Sequence, residues 1–168
     1  MKLFSRIVIL SFVLITACND SKRSESKPET SLQTEIEKVR LINLKGEPIN
    51  MKQYKGKTVF VNFWASWCGP CISEMPSLKS AKDSLRNENI EFLFASDESK
   101  EEIETFSSQQ DYDFKYVRTQ SLEELNITGL PTTFIFNPEG KLVFSEMGAR
   151  QWNSPESIVL IKKIIKPQ

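Results

Sequence analysis

The sequence predicts an α/β domain with a mixed central sheet. Runs of β-branched and aromatic residues, Thr58–Trp64 and Ile90–Ala95, alternate with segments such as Gly69–Arg86 that have the spacing of a helix. Both runs are almost continuously apolar, which is typical of central strands buried on both faces. Strands that alternate with helices and end in a hairpin and a last helix indicate a mixed sheet flanked by helices.

Turns and caps mark the other elements. A hairpin is predicted over Val39–Met51, because Lys45–Pro48 has the composition of a turn. Ser99 with Glu102 forms the capping-box pattern that begins a helix, and Ser154-Pro155 has the N-cap and first position of another. The remaining predictions, in chain order, are a helix from Ser99 to Gln110, a strand over Phe114–Val117, a helical turn over Leu122–Asn126, a hairpin of Thr132–Phe136 with Lys141–Glu146, and a final helix to about Lys166.

Length and composition are those of one globular domain. The chain has 168 residues, of which 39% are hydrophobic, so it can bury a core of ordinary size. Lys plus Arg and Asp plus Glu number 22 each, and this balance gives no support to a nucleic-acid partner. The chain contains no histidine, which excludes Ser-His-Asp and Cys-His catalysis and any histidine-ligated metal site.

The first residues have the layout of a secretory signal. Lys2 and Arg6 precede the apolar run Ile7–Ile15, which is too short for a permanent membrane-spanning helix of about 20 residues. Residues 15–18 (ITAC) resemble the lipobox of bacterial lipoproteins, in which the cysteine is lipidated and becomes the mature N-terminus. A plain signal peptide with an incidental Cys18 is the alternative.

These features divide the chain into three parts. We predict a signal peptide over residues 1–17, lipidated Cys18 with a disordered polar tether over residues 18–36, and a folded domain over residues 37–168. The protein is then expected on the periplasmic side of a membrane, held there by its lipid. If Cys18 carries lipid, Cys68 and Cys71 are the remaining thiols of the exported chain.

Cys68 and Cys71 lie where a predicted buried strand ends and a helix begins. At a helix N-terminus, unpaired N–H groups and the helix dipole favour a thiolate. Cys71, one turn later on the same face, can attack a mixed disulfide formed at Cys68. We therefore predict that Cys68 is the nucleophile and that Cys71 is the resolving thiol. A structural staple is disfavoured because so small a loop constrains the unfolded chain very little.

A metal clip is the alternative interpretation of this pair. Two thiolates fill half of a tetrahedral zinc site, and the mature chain has neither another cysteine nor a histidine to complete it. Two-coordinate Cu(I) stays an open alternative, because thiolates are soft ligands. We predict neither a bound metal nor a cofactor.

Two motifs point to a family. Residues 63–71 (FWASWCGPC) resemble the active-site segment of thioredoxin, and with Val61-Asn62 before them and Ser73–Pro76 after them they are more similar to the membrane-anchored TlpA/ResA-type thiol:disulfide oxidoreductases. Residues 129–134 (GLPTTF) match the second signature of that family. The resemblance extends from about residue 39 to 166. It implies a thioredoxin fold with an N-terminal β-hairpin and a central helix-strand insert.

The resemblance also implies which residues bind the substrate. Pro131 is expected to be a cis-proline that faces the cysteines, with Leu130 beside it in a segment that pairs its backbone with a substrate peptide. Trp67 is expected to line the exposed groove that meets partners. Gly69 keeps the approach to Cys68 open, and Pro70 suits the first helical turn.

Two polar residues distinguish the chain from thioredoxin, which has a buried aspartate at the position of Asn62. Glu74 matches an acidic residue near the thiols of reductive, cytochrome-maturation members. We therefore count Glu74 with Cys68 and Cys71 as catalytic, tuning the thiol pKa values or relaying a proton. The alternative is a solvated helix glutamate.

Together these features predict an enzyme, an extracytoplasmic lipid-anchored protein-disulfide reductase. Exported proteins such as apocytochrome c are the expected substrates, which places the chain in cytochrome c biogenesis and in thiol homeostasis outside the cytoplasm. A membrane thiol oxidoreductase is expected to donate electrons, because no thiol buffer reduces proteins there. The alternatives are a Cu(I) delivery module, a thiol peroxidase, and a disulfide oxidase or isomerase on the same fold.

Overall fold

The described residues form a six-stranded sheet with three α-helices. The computed structural model describes residues 34–120 and 122–166, so the predicted signal peptide, Cys18 and most of the predicted tether lie outside the described residues. The elements are β1 (Leu41–Ile42), β2 (Thr58–Phe63), α1 (Gly69–Ser84), β3 (Ile90–Ser96), α2 (Lys100–Ser108), β4 (Tyr116–Thr119), β5 (Thr132–Phe136), β6 (Leu142–Met147) and α3 (Pro155–Ile165).

The sheet is mixed, as predicted. Its strand order is β1-β4-β3-β2-β5-β6. The pairs β2–β3 and β3–β4 are parallel, whereas β1–β4, β2–β5 and β5–β6 are antiparallel. All six residues of β2 are buried, which confirms the expected central strand. Its register pairs Phe63 with Thr132, so the end of β2 and the start of β5 lie together.

Two apolar clusters form on the alternating side chains of the strands. One contains Phe60, Phe92 and Ile135 together with buried residues of all three α-helices. The other contains Val59, Val61 and Leu93 with the residues around two short 3₁₀ turns, Glu35–Lys38 and Met51–Tyr54. Both cysteines of the pair belong to the first cluster, which places them at the helical face of the sheet.

The largest differences from the predicted strands are at β4 and β1. Strand β4 begins at Tyr116, not Phe114, because its pairing with β3 starts at Tyr116, opposite Phe94. The Phe114 ring, ahead of the strand, stacks on Phe94 with ring centroids 3.7 Å apart. The predicted N-terminal hairpin is reduced to one isolated bridge between Ile42 and Pro48. Strand β1 finds its main partner in β4 instead.

The predicted caps are confirmed. Ser99 and Glu102 form a reciprocal capping box at α2, and the Ser154 side chain accepts from the N–H of Ser157 at the start of α3. The helix-strand insert of α2 and β4 is also present. Within residues 34–120 and 122–166, no helix is long and apolar enough to cross a membrane.

The chain ahead of β1 is fixed at the turn between β5 and β6. The N–H of Ile36 donates to the carbonyl of Gly140 at 3.0 Å, and the Glu35 carboxylate accepts from the N–H of Leu142 at 2.8 Å. Gly140 has φ +77°, and a Cβ there would lie 2.8 Å from Cγ2 of Ile36. Glycine is therefore required both by the backbone and by the contact.

Candidate active site

Cys68 and Cys71 form a disulfide at the start of α1, with Cα atoms 5.2 Å apart. Cys68 is the N-cap residue, and its Sγ accepts from the N–H of Cys71 at 3.3 Å. Pro70 lies in the first turn, where it leaves no donor unpaired. The helix therefore begins where the sequence predicted, and its N-terminus points an N–H group at the sulfur of Cys68.

The two cysteines differ slightly in exposure. The exposed fraction is 5% for Cys68 and 1% for Cys71. Trp67, which precedes Cys68, is 73% exposed, and Gly69 and Pro70 are exposed as well. The pair is thus more accessible to solvent on the side of Cys68, where Trp67 is exposed, while Trp64 is fully buried.

The segment before β5 lies at the same end of the sheet as the cysteines. The Leu130–Pro131 peptide is cis, as the resemblance implied, and Leu130 packs against the cluster that contains both cysteines. Two carbonyls of this segment are already bonded: Gly129 accepts from the Thr132 hydroxyl at 2.7 Å, and Pro131 accepts from the N–H of Gly148 at 2.8 Å. Leu130 lies between these two bonded carbonyls.

Glu74 is buried, with an exposed fraction of 2%, and the solvated alternative is wrong. Its Oε1 accepts from the Asn62 side-chain amide at 2.8 Å. Its Oε2 accepts from the N–H of Arg150 at 3.0 Å and from Nε1 of Trp152 at 3.1 Å. The carboxylate thus joins α1 to β2 and to the loop before α3.

Burial raises the pKa of Glu74 above its ordinary value, because desolvation penalises the carboxylate. The donors from Arg150, Asn62 and Trp152 oppose this effect, and the negative charge of Glu146 adds to it. Burial prevails because these donors are neutral groups: the Arg150 guanidinium pairs with Glu146 at 2.7 Å instead. A carboxyl with a raised pKa one turn beyond Cys71 can exchange protons closer to neutral pH.

Asn62 holds this carboxyl from the centre of the sheet. Its Nδ2 donates to Oγ1 of Thr133 at 3.1 Å as well as to Glu74. Its Oδ1 is buried and meets no donor among residues 34–120 and 122–166. Asn62 therefore fixes the orientation of Glu74 and keeps one acceptor open beside it.

A second buried carboxylate, Glu98, was not predicted as part of the site. It follows β3 and is 8% exposed. Ser66, in the loop before Cys68, donates to it from its N–H at 2.7 Å and from its hydroxyl at 2.5 Å. Ser96 Oγ donates at 3.0 Å, and the Glu98 carbonyl accepts from Nε of Arg118 at 2.9 Å.

Comparison with known proteins places this site in a family. The model of the AhpC/TSA family matches residues 28–145, more than half of the chain. The chain belongs to the AhpC/TSA family.

Relatives of this AhpC/TSA chain bear out the resemblance to TlpA/ResA-type proteins. The thiol-disulfide oxidoreductase ResA of Bacillus subtilis (strain 168) is 35% identical over 102 residues, which are 58% of this chain and 57% of that protein. ResA of Geobacillus kaustophilus (strain HTA426) is 34% identical over 106 residues, 61% of each chain. The chain thus spans about three fifths of the length of these relatives. The predicted resemblance to the TlpA/ResA-type proteins is confirmed.

Solved structures confirm the thioredoxin-like fold of this family member. The thioredoxin domain of a Bacteroides vulgatus thiol-disulfide oxidoreductase superposes with a TM-score of 0.65 at 24% identity, covering 81% of this chain and 100% of that one. The exposed lipoprotein thioredoxin of Streptococcus pneumoniae gives a TM-score of 0.61 at 24% identity, covering 74% and 96%. In the described part of the chain, no group of three or more acidic or cysteine side chains is placed to hold a metal ion.

Proposed function

We propose that this protein is an extracytoplasmic, lipid-anchored reductase that transfers electrons from Cys68 and Cys71 to disulfides of exported proteins. The observation that carries the proposal is the disulfide at the N-terminus of α1, with the more exposed Cys68 as N-cap and the deeper Cys71 one turn later. A nucleophile at the surface with a resolving thiol behind it is the arrangement that exchange requires.

The exchange runs in two steps. The Cys68 thiolate attacks one sulfur of a partner disulfide, which forms a mixed disulfide and releases one partner thiolate. The Cys71 thiolate then attacks Cys68 Sγ, which releases the second partner thiolate and forms the Cys68–Cys71 disulfide. Two electrons pass to the partner, and two protons follow them. The N–H of Cys71 and the dipole of α1 favour the thiolate at Cys68.

Glu74 is proposed to handle the proton of Cys71. Cys71 must lose a proton before it attacks, and it lies one turn before Glu74 on the same helix. The raised pKa of Glu74, caused by burial, suits a group that takes up and returns a proton. Asn62 holds its carboxyl in one orientation.

Substrate binding is proposed at the exposed surface around the pair. Trp67 offers a large apolar side chain, and the exposed Gly69 and Pro70 leave the approach to Cys68 free. Because the carbonyls of Gly129 and Pro131 are bonded within the domain, a substrate backbone is directed to Leu130. The cis Leu130–Pro131 bond belongs to this proposed surface.

The location and partners are proposed from the N-terminal sequence. Residues 1–17 would direct export and Cys18 would carry lipid, and a structural neighbour from Streptococcus pneumoniae is itself described as an exposed lipoprotein. Exported proteins such as apocytochrome c are the proposed substrates. A membrane thiol oxidoreductase would return electrons to the pair.

The test is a Cys71→Ser trap in native membranes. It is expected to accumulate two kinds of mixed disulfide through Cys68, one with a substrate protein and one with the donor. Cys68→Ser is the control and should capture neither. If both variants behave alike, the exchange mechanism is wrong. Inertness of the reduced chain toward model disulfides, combined with stoichiometric Cu(I) binding that Cys68→Ser abolishes, would favour copper delivery.

The direction of electron flow needs its own measurement. The equilibrium of the pair with glutathione is expected to favour the disulfide, as in thioredoxin with its potential of about −270 mV. A pair more oxidising than glutathione would indicate an oxidase or isomerase. Rapid consumption of peroxide by the reduced chain would indicate a thiol peroxidase.

A further inference from the structure

We propose that Glu98 is a positioning residue that sets the redox equilibrium of the Cys68–Cys71 pair through the loop before Cys68. The inference rests on the proposed exchange at that pair. Glu98 is a buried carboxylate that the exchange itself does not use. Its two bonds to Ser66 tie this loop, residues 64–68, to the end of β3.

The loop is held at three places, and Glu98 supplies the middle one. Trp64 is bonded to β3, with its N–H donating to the Ala95 carbonyl at 3.0 Å. Cys68 N–H donates back to Ala65 at 3.1 Å. Between them, the N–H and the hydroxyl of Ser66 both donate to the Glu98 carboxylate. One side chain therefore determines where the residue two positions before the nucleophile lies.

A fixed loop favours the disulfide over the dithiol. Disulfide formation requires the two sulfurs to meet, and a loop that already holds Cys68 at α1 loses less conformational freedom when the bond forms. The negative charge of Glu98 near the loop also disfavours a thiolate at Cys68 in the reduced state. Both effects act in the same direction, so Glu98 makes the reduced pair a stronger reductant.

Among the described residues, the charged groups near Glu98 do not bond to its carboxylate. Arg118 on β4 reaches the Glu98 backbone carbonyl through Nε. On α2, Glu101 and Glu102 line a groove with Ser66, and the Glu102 carboxylate is engaged by Ser99. The described donors to the Glu98 carboxylate are thus the neutral groups of Ser66 and Ser96.

The test compares three variants of the full chain in glutathione buffers. Glu98→Gln is expected to lower the equilibrium constant for forming the disulfide about tenfold, and Ser66→Ala about threefold. The double variant should match Glu98→Gln alone, because Glu98 acts through Ser66. Ser96→Ala is the matched control: it removes the hydroxyl that donates to the same carboxylate and accepts from the N–H of Glu98, but it leaves both bonds from Ser66. Its equilibrium constant is expected to stay within twofold.

Stability and reactivity measurements separate positioning from folding. The pH midpoint for alkylation of Cys68 by iodoacetamide should fall in Glu98→Gln, which a loss of folding stability alone would not cause. Equilibrium constants within twofold of the unsubstituted chain in both Glu98→Gln and Ser66→Ala would overturn the proposal, as would equal shifts in Ser66→Ala and Ser96→Ala. If Glu98→Gln fails to fold, Ser66→Ala decides. Failure of the unsubstituted chain to reduce model disulfides would instead overturn the proposed function.

Discussion

The two buried glutamates of the site differ in what they are bonded to. Glu74 lies on α1 one turn beyond Cys71, and its donors belong to the sheet and to the loop before α3. Glu98 lies just after the end of β3, and two of its donors belong to a residue in the loop that leads into Cys68. Each carboxylate is thus bonded near a different cysteine of the pair: Glu74 lies on the helix that carries Cys71, and Glu98 is bonded to the loop that leads into Cys68.

This difference indicates two different tasks. The donors to Glu74 sit on a rigid frame, since Asn62 lies in β2 and the Trp152 ring packs on Phe60 with centroids 4.7 Å apart. A carboxyl held this firmly, with a pKa raised by burial, suits proton exchange without movement. Glu98 joins a loop to a strand, so it suits the control of geometry.

The largest expected effect comes from a second carboxylate beside Glu74. Asn62→Asp would place two carboxyl groups within hydrogen-bond distance in a buried site, and we expect a loss of about 3–5 kcal/mol in the free energy of unfolding near neutral pH. One of the two pKa values would be strongly raised. A group whose pKa is raised in the folded state stabilises the fold fully below its unfolded pKa, and this contribution is lost as pH rises. The difference in unfolding free energy between Asn62→Asp and the unsubstituted chain should therefore shrink as pH falls from 7 toward 4.5.

Urea unfolding of both proteins across this pH range tests that prediction. The control is Asn87→Asp at an exposed position, which should change the unfolding free energy by no more than about 0.5 kcal/mol. A deficit in Asn62→Asp that does not vary with pH would contradict the shared-carboxyl interpretation.

Trp152→Phe should have the next largest effect. It removes the Nε1 donor to Glu74 and keeps most of the ring, and losing a bond to a charged group should cost about 1.5–3 kcal/mol. Because that donor lowers the pKa of Glu74, its removal should raise this pKa further, which NMR titration of the carboxyl carbon measures. Trp67→Phe, at an exposed ring, is the control and should leave the pKa of Glu74 unchanged.

How far the sequence predicts this site depends on the distance along the chain over which each contact is made. The cysteines, the caps and the burial of β2 follow from local patterns, and the second motif placed Pro131 through its resemblance. Glu74 receives donors from Arg150 and Trp152, which lie 76 and 78 residues away. Hydrophobic periodicity cannot predict a contact between residues so far apart. One signal in the sequence indicates that Trp152 is buried, because it is a large aromatic residue in an otherwise polar loop before a helix cap.

Glu98 was missed for the same reason and for one more. It bonds to Ser66 from 32 residues away, and both residues lie in loops where polar side chains are ordinary. Phe114 was, by contrast, predicted in an element to which it does not belong. The residues from Phe114 to Val117 have the composition of a strand, but β4 begins at Tyr116 and the Phe114 ring stacks on Phe94. The surroundings of Glu98 and Phe114 depend on side chains that are distant in the sequence, and a single sequence does not show which distant side chains are in contact.

Glu74→Gln should have a smaller effect on stability but a distinct pH profile. The amide relieves the burial of a charge but must oppose one of three N–H donors, so we expect a net change within about 1 kcal/mol at pH 7. Burial raises the pKa of Glu74 in the folded state. The contribution of Glu74 to the free energy of unfolding is therefore fully present below its unfolded pKa and is lost as pH rises. The variant should therefore gain relative to the unsubstituted chain as pH rises, measured by urea unfolding, with Glu139→Gln at an exposed position as control.

The smallest expected effect tests whether the framework around Glu74, and not a distant charge, sets its pKa. Glu146 raises that pKa only as the last of the contributing causes, so Glu146→Gln should lower it by less than Trp152→Phe raises it. The half-exposed ion pair of Glu146 with Arg150 would be lost at a cost below about 1 kcal/mol. Arg150 would still donate its backbone N–H to Glu74, since that bond does not involve the guanidinium. If the pKa of Glu74 instead moved further in Glu146→Gln than in Trp152→Phe, the charge of Glu146 would influence that pKa more than the hydrogen bond from Trp152 does. The description of Glu74 as a carboxyl controlled by its rigid hydrogen-bonded frame, in contrast to Glu98, would then be wrong.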